Sequence, residues 1–524
     1  MTQRLAGLDD VSSGGFEPPD VQVAAGDGYV VELVNLAARF WRTGAGPAQQ
    51  LQTEPLSTFF SSGGDKLTDP RIVYDAPSGR WLASISDLDV PSIRLAVSAT
   101  SDPTGRWTVS SYAAPGCADQ PRLGIADHMI VLGADIYPEC DAVGARPSGS
   151  ELWVISKDEL LAGSTSPAST TYGPEPRYMT LAPVQSLSPT ASEYVVSVNQ
   201  PFSRVVHVLE VSGVPPGAVS VREIATPAID QLTRPPFAAQ PPTSSGRVSP
   251  GIETNDVRVL DSVWANGRLW FSANDSCIPP GDSESRACGR VVELATPAMT
   301  VTSDSDISRP RANVFFPALR PDANGDLVVV YGESGSAVKP ETAVVARTPD
   351  GAFTPETVVA KSVAPYLGER YGDYFGAAAD PVDPSVVWIA GEVGSDVASG
   401  RGWVTTVASV AVTSAGGTPP AAAAQAPPGV QAVSAVERAG KAVQLGYRSL
   451  DDGADVRTMV TVRTSGKRLV FQRTTPAADL HAGRLYHVPW LPTKRLRGAF
   501  AYCVRTVATD GSTSPSSCTT ITLR

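Results

Sequence analysis

Three arginines stand at the same offset in separate copies of one repeated sequence pattern: Arg71, Arg122 and Arg258. A guanidinium group is planar and binds a carboxylate or a sulfate through two parallel hydrogen bonds. If the copies line one central channel, these arginines surround it, and we predict that they bind substrate. The alternative is that each arginine pairs with the acid that opens its own repeat, and thereby joins neighbouring repeats.

Acids recur at comparable positions of the repeats: Asp69, Asp119, Glu253, Asp256, Glu369 and Asp373. Glycoside hydrolysis usually needs two carboxyl groups roughly 5 to 10 Å apart, one of which holds a proton near neutral pH. A channel that collects acids from several repeats can supply that pair, so we predict Asp69, Asp256, Glu369 and Asp373 as catalytic. In a chain with a net charge of −11, such acids also arise by chance.

Tyr371 and Tyr374 belong to the densest polar and aromatic cluster of the chain, which runs from residue 369 to residue 374. Tyrosine rings stack on sugar rings and leave their hydroxyls free for hydrogen bonds. We therefore predict that both tyrosines bind substrate. The alternative is a loop that Gly372 allows to enter the next repeat, with both rings packed inside the protein.

We expect no cofactor and no metal ion. Asp322, Asn324 and Asp326 alternate as calcium ligands do, but no bidentate glutamate follows at the required distance. We predict that Asn324 and Gly325 form a hairpin turn here, with a calcium site as the less favoured alternative. Of the four histidines, only His128 and His207 lie in the repeat region, where a polysaccharide lyase would need one.

Composition and motifs exclude several classes of function. The sequence contains no GxSxG, P-loop, GxGxxG or HExxH motif. The acidic net charge of −11 and the lack of a basic stripe argue against a nucleic-acid partner. No apolar run reaches the length of about 18 residues that a membrane span requires.

The elements that must position these residues are strand–turn–strand repeats. Copies open at Asp20, Asp69, Gln120, Val184, Asp256, Phe315 and Asp373. Their starts lie roughly 50 to 70 residues apart, a spacing that suits a four-stranded blade with loops. We predict an all-β chain with an N-terminal tail over residues 1–15 and a six- or seven-bladed β-propeller over residues 16–412. A linker over residues 413–428 and a small β-sandwich over residues 429–524 follow.

The six cysteines form three neighbouring pairs: Cys117 with Cys140, Cys277 with Cys288, and Cys503 with Cys518. Six cysteines allow 15 connectivities, of which this local pairing is the simplest. No CxxC motif supports a zinc site. Disulfides predict an oxidising, extracellular environment.

Several segments resemble a family of secreted bacterial β-propeller proteins that are described as sialidase-like. The matching stretches include DPRIVYDAPSGRW from Asp69, ETNDVRVLDSVWANGRLW from Glu253 and RYGDYFGAAADPVDPSVVW from Arg370. SATSDPTGRW also resembles the Asp-box turn of sialidases, in which Asp102, Gly105 and Trp107 would fill the structural roles. The Arg-Ile-Pro element of true sialidases does not occur. The resemblance therefore implies a fold and secretion, and no neuraminidase activity.

The last segment, with Tyr502 and a closing DGSTSPSS turn, resembles a fibronectin type III domain. For the whole chain we expect a secreted protein directed at a polysaccharide or glycoconjugate. It would be a glycoside hydrolase or polysaccharide lyase acting at the mouth of the channel. The alternative is a non-catalytic extracellular binding module that uses loops such as residues 212–251.

Overall fold

Strands dominate the structure, and the described helices are limited to the short segments α1 (Leu56–Phe59) and α2 (Lys157–Leu161). The computed structural model describes residues 1, 3–44, 48–62, 66–140, 146–243, 246–368, 370–395, 401–412, 430–432, 435–437, 442–449, 453–466, 468–480, 484–493, 496–507, 513–514 and 516–524. The prediction of an all-β protein is confirmed. None of the described helices has the length and hydropathy that crossing a bilayer requires.

The chain divides into two compact units, Met1–Thr413 and Ser414–Arg524. The predicted linker over residues 413–428 lies outside the described residues. The first unit opens with β1 (Gln3–Asp9) and continues with antiparallel sheets that we number in chain order.

Sheet 1 contains β2 (Gln22–Gly26), β3 (Tyr29–Val34), β4 (Ala37–Arg42) and β5 (Gln49–Pro55). Sheet 2 contains β6 (Leu67–Asp75), β7 (Arg80–Asp87), β8 (Ser92–Ser98) and β9 (Trp107–Ala113). Sheet 3 contains β10 (Cys117–Ile125), β11 (Met129–Tyr137), β12 (Gly149–Ser156) and β13 (Ser169–Glu175).

Sheet 4 contains β14 (Ala182–Pro183), β16 (Glu193–Val198), β17 (Phe202–Ser212) and β18 (Ser220–Ala225), with β19 (Ala228–Thr233) also paired to β17. Between sheets 3 and 5, β15 (Gln185–Ser186) pairs in parallel with a strand of each. Sheet 5 contains β20 (Val259–Ala265), β21 (Arg268–Cys277), β22 (Arg286–Ala295) and β23 (Thr300–Ile307).

Sheet 6 contains β24 (Asn313–Pro321), β25 (Leu327–Gly335), β26 (Val338–Arg347) and β27 (Thr357–Lys361). Sheet 7 contains β28 (Gly376–Ala379), β29 (Val386–Gly394), β30 (Trp403–Ala411) and, from the other end of the unit, β1.

The first strands of the sheets, which we call the inner strands, are neighbours in a closed cycle. In order around the cycle they are β2, β6, β10, β14, β20, β24 and β28, and β28 contacts β2 again. Buried Val, Leu, Ile and aromatic side chains fill the space between successive sheets, as in the cluster that joins sheets 2 and 3 around Leu82 and Ile130. The neighbouring sheets therefore cover both faces of each sheet, whereas an isolated hairpin would leave its faces exposed.

The N-terminal strand β1 completes sheet 7. β1 pairs antiparallel with β30, from Gln3 opposite Ser409 to Asp9 opposite Val404. The expectation of an N-terminal tail over residues 1–15 is therefore wrong for Gln3–Asp9. This pairing covers an edge of β30 that would otherwise be exposed, and it buries Leu5 and Leu8 in the core.

Local turn chemistry follows the sequence. Asn266 and Gly267 both have positive φ, of 50° and 81°, and they connect β20 to β21 as a two-residue hairpin turn. The Asp-box segment also forms a hairpin turn, in which Asp102 accepts from Thr104 and the Trp107 indole donates to the carbonyl of Pro103. Asp322 accepts from the amides of Asn324 and Asp326, so the calcium-like segment serves as the turn between β24 and β25.

The described residues of the second unit form two sheets. One contains β31 (Val430–Ala432), β33 (Val443–Ser449) and β37 (Leu485–Trp490). The other contains β32 (Ala435–Glu437), β39 (Ser517–Leu523), β38 (Gly498–Val507), β34 (Gly453–Thr464) and β35 (Leu469–Thr474), with β36 (Ala478–Leu480) also beside β34. Buried side chains such as Tyr502 and Trp490 form the core of this unit.

All three predicted cysteine pairs are disulfides in the structure. Cys117 bonds to Cys140, Cys277 to Cys288, and Cys503 to Cys518. The last two disulfides connect adjacent antiparallel strands, β21 with β22 and β38 with β39. The local pairing predicted from the sequence is confirmed.

Substitutions on β1 test whether this strand is part of the core of the first unit. Leu8 is fully buried, so Leu8→Ala should lower the free energy of unfolding by about 2–5 kcal/mol, through lost burial and the cavity left behind. Arg4 lies on the exposed face of the same strand, and Arg4→Ala should change stability by less than about 0.5 kcal/mol. Chemical denaturation would measure both, and equal effects would contradict a core role for β1.

Candidate active site

Polar side chains gather where the inner strands begin, and we call this region the mouth. Six non-glycine residues at or near the starts of inner strands have positive φ, between 47° and 63°: Asp20, Asp69, Gln120, Thr180, Asn255 and Phe316. Side chains of neighbouring segments accept hydrogen bonds from several of their amides; for example, Asn35 accepts from Asp69, and Asp135 from Thr180. These contacts fix the backbone from which the functional side chains project.

The most buried part of the mouth is a group of three carboxylates. Oxygens of Asp20, Asp69 and Asp373 lie within 4.8 Å of one another. Asp373 accepts hydrogen bonds from Arg370 at 2.8 and 2.7 Å, from Asn255 at 2.9 Å and from Gln120 at 3.1 Å. This network joins residues from five sheets or the loops before them.

Backbone and side-chain donors also occupy the other two carboxylates of this group. Asp20 accepts from the amide of Asp373 at 2.7 Å, and Asp69 accepts from the amide of Gln120 at 3.0 Å. Burial and the charges of Asp373 and Asp69 raise the pKa of Asp20 well above its usual value. Burial, followed by the charge of Asp373, also raises the pKa of Asp69. Hydrogen-bond donors therefore contact these two carboxyl groups, and their raised pKa values favour the protonated form more than in a free aspartate.

A second, more accessible group surrounds Arg258. Its guanidinium binds Asp256 through two hydrogen bonds of 2.8 Å, and it lies 3.6 Å from Asp119. The side chains of Asp119 and Asp256 are 38% and 20% exposed, so solvent reaches both carboxylates. Glu253 and Arg370, 3.8 Å apart and also partly exposed, form the adjoining part of the mouth.

The two carboxylates beside Arg258 prefer opposite protonation states. Although part of its side chain reaches solvent, the protein packed around the Asp119 carboxylate, followed by the charge of Asp69, raises its pKa to about 7, against the opposing charge of Arg258. Burial alone would raise the pKa of Asp256 too, but the charge and hydrogen bonds of Arg258 outweigh it and lower this pKa. Near neutral pH, one group can hold a proton while the other is ionised, as an acid–base pair requires.

The other two predicted arginines lie deeper in the channel. Arg71 is 7% exposed and stacks on the ring of Tyr374 at 3.5 Å, and Arg122 is 4% exposed. The cavity that these arginines line in the middle of the channel measures about 30 Å³, which is room for about two water molecules and not for a sugar ring. In this structure only Arg258 of the three lies beside the exposed carboxylates of the mouth.

The predicted sugar-stacking tyrosines are buried. Tyr371 and Tyr374 are each 1% exposed. Tyr371 donates to the carbonyl of Glu392, and Tyr374 to the carbonyl of Pro70. Both rings pack inside the protein, so neither offers a face to a sugar here. Their burial agrees with the alternative prediction, in which both rings are packed inside the protein. Glu369, predicted as catalytic, lies outside the described residues.

Asp69, Asp256 and Asp373 were predicted to be catalytic, and all three lie at the mouth, although Asp69 and Asp373 are buried. The sequence did not predict a catalytic role for Asp119, and it did not point to Asp20, Asp135 or Arg370. Asp20 opens the first repeat copy, so its position in the repeat was the available signal. Asp135 lies on a second strand, where the sequence gives no such signal.

Other features of the first unit lie away from the mouth. His128 pairs with Asp158, and His207 with Glu223, so neither histidine joins the carboxylates of the mouth. A cavity of about 590 Å³ lies near the opposite ends of the inner strands, beside Ala25, Tyr74, Trp270 and Asp322. A second group of three carboxylates, Glu333, Glu341 and Glu356, lies in sheet 6 and just before its last strand.

Comparisons with known proteins identify no family. No family model matches the chain, and no curated protein matches it. Among solved structures, a protein of unknown function from Dyadobacter fermentans is 12% identical with a TM-score of 0.37, over 78% of this chain and 98% of that one. The α-L-arabinofuranosidase Arb93A from Fusarium graminearum, in complex with an iminosugar inhibitor, is 11% identical with a TM-score of 0.36, over 78% of this chain and 98% of that one.

A family 32 β-fructofuranosidase from Bombyx mori is 11% identical with a TM-score of 0.30, over 78% of this chain and 86% of that one. These structures are distant at the level of both sequence and superposition. The sheets and their cyclic contacts therefore define the fold, and the residues of the mouth define the chemistry that the site could perform. The resemblances to sialidase-like proteins and to fibronectin type III domains stay predictions.

The pKa of Asp119 leads to a test by stability. Its folded-state pKa of about 7 exceeds its ordinary value of 3.8, so the folded protein retains a proton that the unfolded chain releases. The stability that this proton contributes is complete below pH 3.8 and is lost as the pH rises towards 7. Asp119→Asn should remove this part of the slope of unfolding free energy against pH.

Asp27 provides the matched control, because it lies exposed in the turn between β2 and β3. Asp27→Asn should keep the part of the slope between pH 4 and about 7 that Asp119 contributes. Denaturant unfolding at several pH values would compare the three proteins. Superimposable profiles for the wild type and Asp119→Asn would show that Asp119 titrates normally.

Proposed function

We propose that the first unit is a seven-bladed β-propeller that hydrolyses glycans at the mouth of its channel. The closed cycle of inner strands supports the propeller, with sheets 1 to 7 as blades. The observation that carries the activity is that Asp119 and Asp256 flank one guanidinium with opposite protonation preferences. One guanidinium spans both carboxyl groups, which is compatible with the separation, up to about 9.5 Å, found in glycoside hydrolases.

Asp119 would act as the general acid. Its protonated carboxyl group would donate to the glycosidic oxygen of the leaving sugar as the bond breaks. Asp256, held ionised by Arg258, would activate water or attack the sugar as the nucleophile. Asp373 and Asp69 would act as positioning residues, because their contacts fix Arg370, Asn255 and the backbone of Gln120.

The accessible part of the mouth suits a hydroxylated substrate. Partly exposed Glu253, Asp256 and Asp119 offer acceptors for sugar hydroxyls, and Arg370, 45% exposed, offers donors. Three disulfides in the described chain favour an oxidising, extracellular location. For the second unit we propose a fibronectin type III-like spacer or carbohydrate-binding module, since its two packed sheets suit either.

A polysaccharide panel assayed for released reducing sugar tests this function. On any substrate that the wild type cleaves, Asp119→Asn and Asp256→Asn should each lower kcat about 10²- to 10⁴-fold, because each removes proton transfer or nucleophilic attack. Asp158→Asn, an exposed acid of equal size, should keep wild-type activity. Full activity in both mouth variants would remove the site assignment.

A second candidate function is non-catalytic glycan or protein binding. It is favoured by exposed apolar side chains in the segment of residues 212–251, where Phe237 is 48% and Val248 is 76% exposed. Phe237 lies near the mouth, because the neighbouring Pro236 accepts a hydrogen bond from Thr254, just before Asn255. Exposed aromatic rings commonly anchor such partners.

The two functions differ in what they require. A binding module should give no product on the polysaccharide panel and should bind an immobilised glycan or protein ligand. Phe237→Ala should then weaken binding at least about tenfold, as loss of an aromatic anchor does, while Asp119→Asn should not. Hydrolysis that depends on Asp119 would reject this second function.

A further inference from the structure

Five arginines of the described chain are less than 9% exposed, and they differ in how their charge is balanced. Arg258 pairs with Asp256, Arg290 with Asp275 and Arg320 with Asp261. Among the described residues, no carboxylate lies within ion-pair distance of the other two, Arg71 and Arg122, although the charge of Asp69 acts on both from farther away. A buried charge with no counter-charge in contact with it is destabilising, so these two require an explanation.

The contacts of Arg71 and Arg122 satisfy only part of their hydrogen-bonding capacity. Arg71 donates through Nε to the carbonyl of Pro121 at 3.1 Å. Arg122 donates to the carbonyl of Leu260 at 2.6 Å and to Gln120 at 3.1 Å. Nη2 of Arg71 and Nε of Arg122 are buried and have no hydrogen-bond partner among the described residues.

The ring of Tyr374 compensates for only a fraction of this charge. The guanidinium carbon of Arg71 lies 3.5 Å from the ring centroid, and that of Arg122 lies 5.7 Å away. A cation–π contact stabilises a cation by less than the burial of two guanidinium ions destabilises the folded protein. Burial, followed by the charges of Arg71 and Arg258, lowers the pKa of Arg122 to about 9.

Both arginines line the same small cavity in the middle of the channel. Its volume is about 30 Å³, and Arg320, Gln22 and Gln185 also line it. Arg320 brings a third guanidinium, already paired with Asp261, the one carboxylate in the lining. The cavity therefore combines a net positive lining with room for a single small ion.

We propose that the channel holds a halide-sized inorganic anion, chloride in physiological media, bound between Arg71 and Arg122. The anion supplies a counter-charge in direct contact with both guanidiniums, which no described carboxylate does, and the unpartnered Nη2 of Arg71 and Nε of Arg122 are the donors that it would engage. This site lies deeper than the carboxylates of the mouth and does not depend on hydrolysis there. Binding only to the folded protein, the anion stabilises the first unit.

Chloride-dependent unfolding of the full chain tests the proposal. At constant ionic strength, replacing gluconate, which is too large for the cavity, by chloride should raise the Tm of the wild type by a few degrees and then saturate. Arg122→Met, similar in volume and uncharged, should lose this response. Arg94→Met removes a guanidinium that pairs with Asp87 elsewhere, and it should keep the response.

Crystals grown or soaked in bromide give a second readout that does not depend on a folded variant. An anomalous peak between the guanidiniums of Arg71 and Arg122 is expected in the wild type. Two results would overturn the proposal: water at that position without a bromide peak, or a wild-type Tm that is indifferent to chloride. An equal chloride response in Arg122→Met would also overturn it, since the ion would then bind elsewhere.

Discussion

The structure depends on one constraint: the inner strands contact one another in a closed cycle, and every polar group brought there must find a partner away from bulk water. An unpaired amide or charge in such a place costs free energy that a single hydrophobic contact cannot recover. At the starts of these strands, residues with positive φ donate their backbone amides to side chains of neighbouring segments. For example, the amide of Asp69 donates to Oδ1 of Asn35. The polar centre of the protein is thus part of how the sheets are held in register with one another.

The same constraint explains why two kinds of carboxylate coexist at the mouth. Asp373 and Asp20 are surrounded by donors from several sheets, and their oxygens are used in joining those sheets. Asp119 and Asp256 lie further out and share Arg258, with solvent access that the inner group lacks. Chemistry needs accessible groups with separated pKa values, whereas structural carboxylates need saturation by donors. The outer pair meets the first condition and the inner group the second.

Charge balance differs along the channel. The mouth carries an excess of carboxylates, and burial raises the pKa values of Asp20 and Asp119, which favours their protonated forms. The middle of the channel carries an excess of guanidinium groups, stacked on Tyr374 and bonded to carbonyl oxygens. Acids can neutralise themselves by taking up protons, but arginine cannot lose its proton near neutral pH. An anion in the cavity is the remaining route to neutrality there.

The sequence by itself determined the strand-rich class, the turn at Asn266–Gly267 and the three cysteine pairs, because each depends on residues close together in the chain. It also predicted that Arg71, Arg122 and Arg258 occupy one repeat position, but Arg71 and Arg122 follow the positive-φ residues Asp69 and Gln120 by two residues, whereas Arg258 follows Asn255 by three. Only the tertiary structure decided their different surroundings. Arg258 finds Asp256 two residues away, whereas Arg71 and Arg122 meet Tyr374 from a distant part of the chain. The cycle of inner strands sets the distances between these arginines and Tyr374, and no local sequence pattern encodes them.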